Sequence, residues 1–119
     1  LVFGEGSGGR VNDRYILVGH TPVAEPNLLK WAAWFSGADR RVAETRVGGA
    51  RVSTVFLGLN DAFGGGTPLL FETIIFDSPS NKDYQRRYST WDDAEAGHAR
   101  AVAHLNTLDI ARVEAETSA

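Results

Sequence analysis

Between Arg40 and Asp77 three strand-like runs follow one another: RRVAETRV, ARVSTVFLGL and LLFETIIFD. They are joined first by Gly48-Gly49 and then by a loop carrying Gly64-Gly65-Gly66. Paired glycines supply the positive backbone dihedrals of a two-residue hairpin turn, so the first two runs are predicted to reverse tightly. The turn sets a register with Val47 opposite Ala50, Arg46 opposite Arg51, Thr45 opposite Val52, Ala43 opposite Thr54 and Arg41 opposite Phe56. With 60–68 as the next loop, the third strand returns with Phe56 opposite Glu72 and Thr54 opposite Ile74. Alternation then assigns Val52, Thr54, Phe56, Leu70, Glu72, Ile74 and Phe76 to one face, and Val55, Leu57, Leu59, Leu69, Phe71 and Ile75 to the other. Both sets are apolar enough to predict a cover on each face, by a helix or by a second subunit.

The flanking segments supply the helices. YILVGHTPV, 15–23, is predicted to be one extended segment ending near Pro22. LLKWAAWFS, 28–36, is predicted helical, with Asn27 as cap and Gly37 as stop. Leu28, Trp31 and Phe35 share a face there, and Trp34 and Leu29 make the helix apolar nearly all round, which predicts deep packing or an interface. Residues 84–89 add a fourth strand. Thr90-Trp91-Asp92-Asp93 opens a last helix, a hydroxyl followed by carboxylates in the first turn. It is predicted to run to about Leu108, burying Trp91, Ala94, His98, Ala101, Val102 and Leu105. The expected fold is α+β: an antiparallel three- to four-stranded meander, a C-terminal helix on one face and a short N-terminal helix on the other face or an edge. Residues 1–13 are expected to be a flexible glycine-rich arm, 14–110 a single α+β domain and 111–119 a frayed tail.

Composition narrows the function classes. The chain of 119 residues has 43% hydrophobic and 23% charged residues, ordinary for a soluble domain that folds without metal or disulfide. Having no cysteine, it offers no thiolate zinc site and no cysteine nucleophile, which suits a cytoplasmic setting. Having no methionine even at position 1, it is taken as trimmed, processed or a fragment. The net charge of −3 does not favour a nucleic-acid partner, and no run is long enough for a membrane span.

Several residues carry possible chemistry, each with a plainer account. Gly4-Glu5-Gly6-Ser7-Gly8-Gly9 matches a dinucleotide-binding glycine pattern, yet it lacks the flanking strand and helix that give the pattern meaning, so a flexible arm explains it better. Glu72, His98 and Arg41 are expected to share one neighbourhood, with Asp61 as an outlying fourth group, and such a set suits general acid/base work. The same three side chains also make a satisfied core network without catalysis. The histidines at 98 and 104 are six apart, about 120° around a helix, so no metal site and no cofactor are expected. In the loop 60–68, three glycines and Phe63 suggest a contact segment, or merely a mobile connection whose Phe63 caps the core edge. Arg46 and Arg51, directly opposed, call for an anion or for Glu44 between them, unless they splay into solvent.

Taken as ordered blocks, YILVGHTPV, WAAWFSGADRRVAET, RVSTVFLGLNDAFGGGTPLLFETIIF and RYSTWDDAEAGHARAVAHL resemble a group of small uncharacterised proteins encoded by tailed phages and prophages. The resemblance spans roughly 15–105 and implies a mobile-element origin and an intracellular role in a bacterial host. It transfers no catalytic or binding residue, since the group has no established activity. The expected function is a non-enzymatic accessory protein that binds a protein partner or itself, with Trp31, Trp34 and Phe63 as contact residues. A small enzyme or ligand-binding protein using Glu72, His98, Arg41 and Asp61 is the first alternative. Anion or nucleic-acid binding through Arg46 and Arg51 is the second.

Overall fold

A computed structural model describes residues 13–62, 65–79, 81 and 83–118, with side chains to residue 108. Strands β1 (Tyr15–Val18) and β2 (Thr21–Ala24) form a hairpin, followed by helix α1 (Leu28–Gly37). A four-stranded antiparallel meander comes next: β3 (Arg41–Val47), β4 (Ala50–Phe56), β5 (Phe71–Phe76) and β6 (Gln85–Tyr88), in that spatial order. Helix α2 (Trp91–Ser118) ends the chain, giving the expected α+β fold. Residues 1–12, with the dinucleotide-like glycine run and nearly all of the expected arm, lie outside the described residues, as do Phe63 and Gly64.

The segment predicted as one extended run is two strands. Val18 pairs with Thr21, leaving Gly19-His20 as a two-residue turn in which Gly19 takes a φ of 64°. Pro22 lies in β2, which has β1 on one side only, so its missing N–H is tolerated. A two-stranded hairpin is marginal by itself, and this one is fastened from outside. Arg14 bridges Leu59, the Tyr15 N–H donates to the Gly58 carbonyl at 2.9 Å, and the Asn60 N–H donates to the Asp13 carbonyl at 2.8 Å.

Helix α1 begins as predicted, with the Asn27 side chain accepting from the Lys30 N–H at 2.9 Å. It is not deeply packed, because none of its residues is buried. Its aromatic side chains turn inward: the Trp31 Nε1–H is shared between the Tyr15 and Gly58 carbonyls at 3.1 Å each, and Trp34 meets Phe56 edge-on at 5.8 Å. Gly58 has a φ of 79° and lies against Phe35 and Trp31, so a side chain there would both strain the backbone and push the helix away.

The β3–β4 register follows the glycine turn from Val47–Ala50 through Ala43–Thr54. A bulge between Arg41 and Ala43 then brings Arg41 opposite Val55, not Phe56. The β4–β5 register departs from the sequence expectation by one position: Phe56 faces Phe71, Val55 faces Glu72 and Thr54 faces Thr73. A slip of one exchanges the two faces of β5 entirely. The predicted register would have put the Glu72 carboxylate under α2, stripped of water. The observed one buries Phe71, Thr73 and Ile75 and sets Glu72 opposite Arg87 of β6 on the other side.

Helix α2 lies across all four strands on one side, here called the inner face. Its buried residues are Ala94, Gly97, His98, Ala101 and Leu105; of the predicted stripe Trp91 and Val102 are only half-buried, and Gly97 is added. Ala50, Val52, Ile75, Ala101 and Leu105 make one cluster, and Phe56, Leu70, Phe71 and Ala94 make another, flanked by Tyr15, Leu17, Trp34, Tyr88 and Trp91. The ring of Tyr88 occupies the space any Cβ on residue 97 would need. Thr90 caps the helix by accepting from the Asp93 N–H at 3.0 Å. The backbone stays helical to Ser118, past the predicted end near Leu108 and through most of the segment expected to fray. No described helix packs on the outer face, so of the two expected covers only the one on the inner face is a helix of this chain. Among the described residues no helix is long and apolar enough to cross a membrane.

Candidate functional site

The four residues considered for acid/base chemistry are divided between the two faces. His98 is on the inner face, only 6% exposed. Its Nε2 meets the Thr45 hydroxyl at 2.8 Å and its Nδ1 meets the Thr54 hydroxyl at 2.8 Å, while Thr54 meets the Thr73 hydroxyl at 2.5 Å. A neutral imidazole has one N–H and one lone pair, and each hydroxyl can donate or accept, so either tautomer satisfies the chain of groups. With no charged group in this set, burial pushes the His98 pKa below its ordinary value of 6.5.

Glu72 and Asp61 are brought together on the outer side by a residue the sequence reading did not single out. The Arg87 Nε lies 2.6 Å from Asp61 Oδ2 and 3.1 Å from Glu72 Oε2, and the Gln85 Nε2 donates to the same Glu72 oxygen at 2.6 Å. This clamp ties edge strand β6 to β5 and to the loop after β4. It needs Glu72 to point outward, so the expected neighbourhood of Glu72, His98 and Arg41 does not form. Arg41 is exposed at the β3 edge, 3.8 Å from Glu44.

Arg46 and Arg51 are directly opposed, as the turn predicted. Arg51 rests over the Phe76 ring at 4.3 Å and lies 3.9 Å from Glu44, which supplies the expected compensation. Arg46 is exposed and has no ion-pair partner among the described residues. Together these residues make the outer face a mixed surface. Val55 and Ile74 are half-buried at its centre, Phe76 is exposed, Arg46 and Arg51 occupy the hairpin end, and Asp61, Glu72 and Arg87 occupy the diagonal corner.

Trp31 and Trp34, considered as contact residues, are engaged inside the chain. The uncovered apolar side chains near them are different ones: Val18 at 60% exposure, Leu28 at 55% and Leu29 at 79%, with Val23 and Leu59. Arg14 links the elements bearing them: it pairs with Leu59, directly precedes β1 and donates from Nη2 to the Pro26 carbonyl just ahead of α1. Parity along the hairpin was the signal that could have found part of this set. Tyr15 and Leu17 face the core, so Ile16 and Val18 face out, with Val23 paired to Ile16.

His20 stacks flat on Trp91, ring centroids 3.7 Å apart, and His104 meets Asn81 at 3.2 Å. The three histidines are therefore engaged separately, and no group of three or more His, Asp or Glu side chains is placed to hold a metal ion among the described residues. Compared with known proteins, the chain matches no protein family, no curated protein and no solved structure.

Proposed function

We propose that this chain is a non-enzymatic accessory protein of a tailed phage or related mobile element, working in the bacterial cytoplasm by binding a protein partner. The observation that carries the reading is the set of uncovered apolar side chains on the β1–β2 hairpin, at Leu59 and at the start of α1, with Val18, Leu28 and Leu29 more than half exposed. Exposed apolar surface in this amount marks contact sites, because leaving it in water has a cost that association removes. The polar groups point the same way: His98 has both ring nitrogens engaged, and Asp61 and Glu72 are spent on Arg87. The mobile-element origin rests on the resemblance of the blocks between 15 and 105.

The test uses the tagged chain as bait in a bacterial host lysate, beside the double variant Leu28→Asp/Leu29→Asp. Both positions are exposed, so the variant is expected to melt like the parent while losing a partner that the parent retains. A parent that retains nothing, or a variant that retains the same protein equally well, would discard the reading.

A further inference from the structure

We propose that the outer face of the four-stranded sheet is a self-complementary surface that pairs with the same face of a second copy of this chain. The inference rests on the contact reading above but uses a different surface, on the opposite side of the sheet from α2. Its basis is the arrangement of charge. Cross-strand neighbours on this face form three rows: Arg46, Arg51 and Phe76 at the hairpin end, then Glu44, Ser53, Ile74 and Gln85, then Arg41, Val55, Glu72 and Arg87. Arg46 marks one corner on edge strand β3, without an ion-pair partner among the described residues. The diagonal corner, by edge strand β6, has two carboxylates, Asp61 and Glu72, sharing the single guanidinium of Arg87. One corner thus has cationic charge to spare and the other anionic.

A two-fold axis lying in the interface, perpendicular to that diagonal, superposes each corner on its opposite in the second copy. Arg46 of each chain then meets the Asp61 corner of the other, while Ile74, Val55 and Phe76 meet their counterparts near the axis, and Arg41, beside Glu44 of its own chain, comes near its counterpart at one end of it. Isologous contact of this kind closes at two copies. The strands of the two sheets cross at a steep angle, as in orthogonal sheet packing. Asp61 is the accessible carboxylate, its side chain 40% exposed against 12% for Glu72.

The sheet edges are poorer candidates. β3 carries Arg41, Glu44, Arg46 and a bulge, and β6 is a four-residue strand reading QRRY, both devices that discourage edge pairing. The size of the face sets the strength. Four strands about 4.8 Å apart and about 20 Å long present roughly 400 Å² per copy, which puts the pair among weak, concentration-dependent associations.

Sedimentation of the full chain over a concentration series, at low and high salt, reads the association directly. The charge exchange identifies the surface: Arg46→Glu and Asp61→Lys are studied separately and as an equimolar mixture. The parent is expected to approach twice its monomer mass, less so at high salt. Each variant alone places like charges at both contacts and should weaken pairing about tenfold or more. The mixture restores both contacts and pairs like the parent. Phe76→Ser serves as a second probe should Asp61→Lys unfold by releasing Arg87, and it too should weaken pairing.

A parent that stays monomeric throughout overturns the proposal. So does a variant that pairs undiminished, a mixture that fails to recover, or a monomer whose outer face instead retains a single-stranded oligonucleotide. A monomeric parent that still captures a partner through Leu28 and Leu29 sinks this inference alone. A dimer that captures nothing sinks only the partner reading.

Discussion

The two sides of the four-stranded sheet are built from alternating residues of the same strands, yet they handle polar groups in opposite ways. On the inner side, Thr45, Thr54, Thr73 and His98 form a chain of neutral groups that satisfy one another under α2. One residue along, on the outer side, Glu72 and Arg87 keep their charges and pair. The difference teaches where charge is affordable. A hydroxyl or neutral imidazole can be buried when its hydrogen bonds are met, whereas a carboxylate placed there would give up hydration that only a cation buried beside it could replace. The composition of each face follows from whether a helix covers it.

The contrast can be broken first at the inner face, where the largest effect lies. Phe71→Ala removes a fully buried ring from the cluster with Phe56 and Ala94. It is expected to lower stability by about 3–5 kcal/mol in urea denaturation; a loss within about 1 kcal/mol would mean that this face is not the core. Gly97→Ala should cost about 1–3 kcal/mol despite the better helix propensity of alanine, because the added methyl falls on the Tyr88 ring. Adding Tyr88→Ala should make that position indifferent, and a Gly97→Ala protein as stable as the parent would contradict the close approach.

His98 sharpens the comparison through pH. Its pKa is lowered in the folded state, so above the ordinary value of 6.5 both folded and unfolded chains are neutral there and the contribution is fully present. As pH falls below that value the unfolded chain takes up its proton first, and stability is lost toward the lower folded pKa. Thermal melts across this window should show the loss in the parent and a smaller one in His98→Leu, which leaves the Thr54–Thr73 pair intact. Equal slopes would remove His98 as the source. At the outer face, measured where the chain is monomeric, Ile74→Ala should cost about 1 kcal/mol or less. A cost equal to that of Phe71→Ala would erase the distinction between the sides.

How much of this could be foreseen depended on the reach of each signal. Gly48-Gly49 acts over two residues, and the pairings from 43 to 54 followed from it. The α2 stripe from Trp91 to Leu105 was legible because small and apolar residues recur at helical spacing. The β4–β5 pairing crosses a long loop shaped by Gly58, by the Leu57 N–H donating to the Leu70 carbonyl at 2.7 Å, and by Asn60 accepting from the Ala62 and Leu69 N–H groups. None of these is a local pattern. A one-residue error there moved Glu72 to the wrong side and removed the candidate site with it. The charge of Glu72 was itself the available clue, since only the other register spares it burial. The Gly19-His20 turn was missed for a different reason: one glycine beside a histidine is a weak hairpin signal compared with two glycines.

The indole of Trp31 has a consequence for the order in which the chain matures. Its N–H is held by carbonyls of Tyr15 and Gly58, groups that are synthesised far apart. The first hairpin therefore leaves the ribosome well before its anchor exists, and docking must wait for the chain beyond β4 to arrive. The meander needs no such wait, since each of its strands pairs with a neighbour in sequence. Pulse-labelled hydrogen exchange during refolding should show the Tyr15 and Asn60 amides becoming protected together, after those of β4; protection of Tyr15 ahead of β4 would reverse that order.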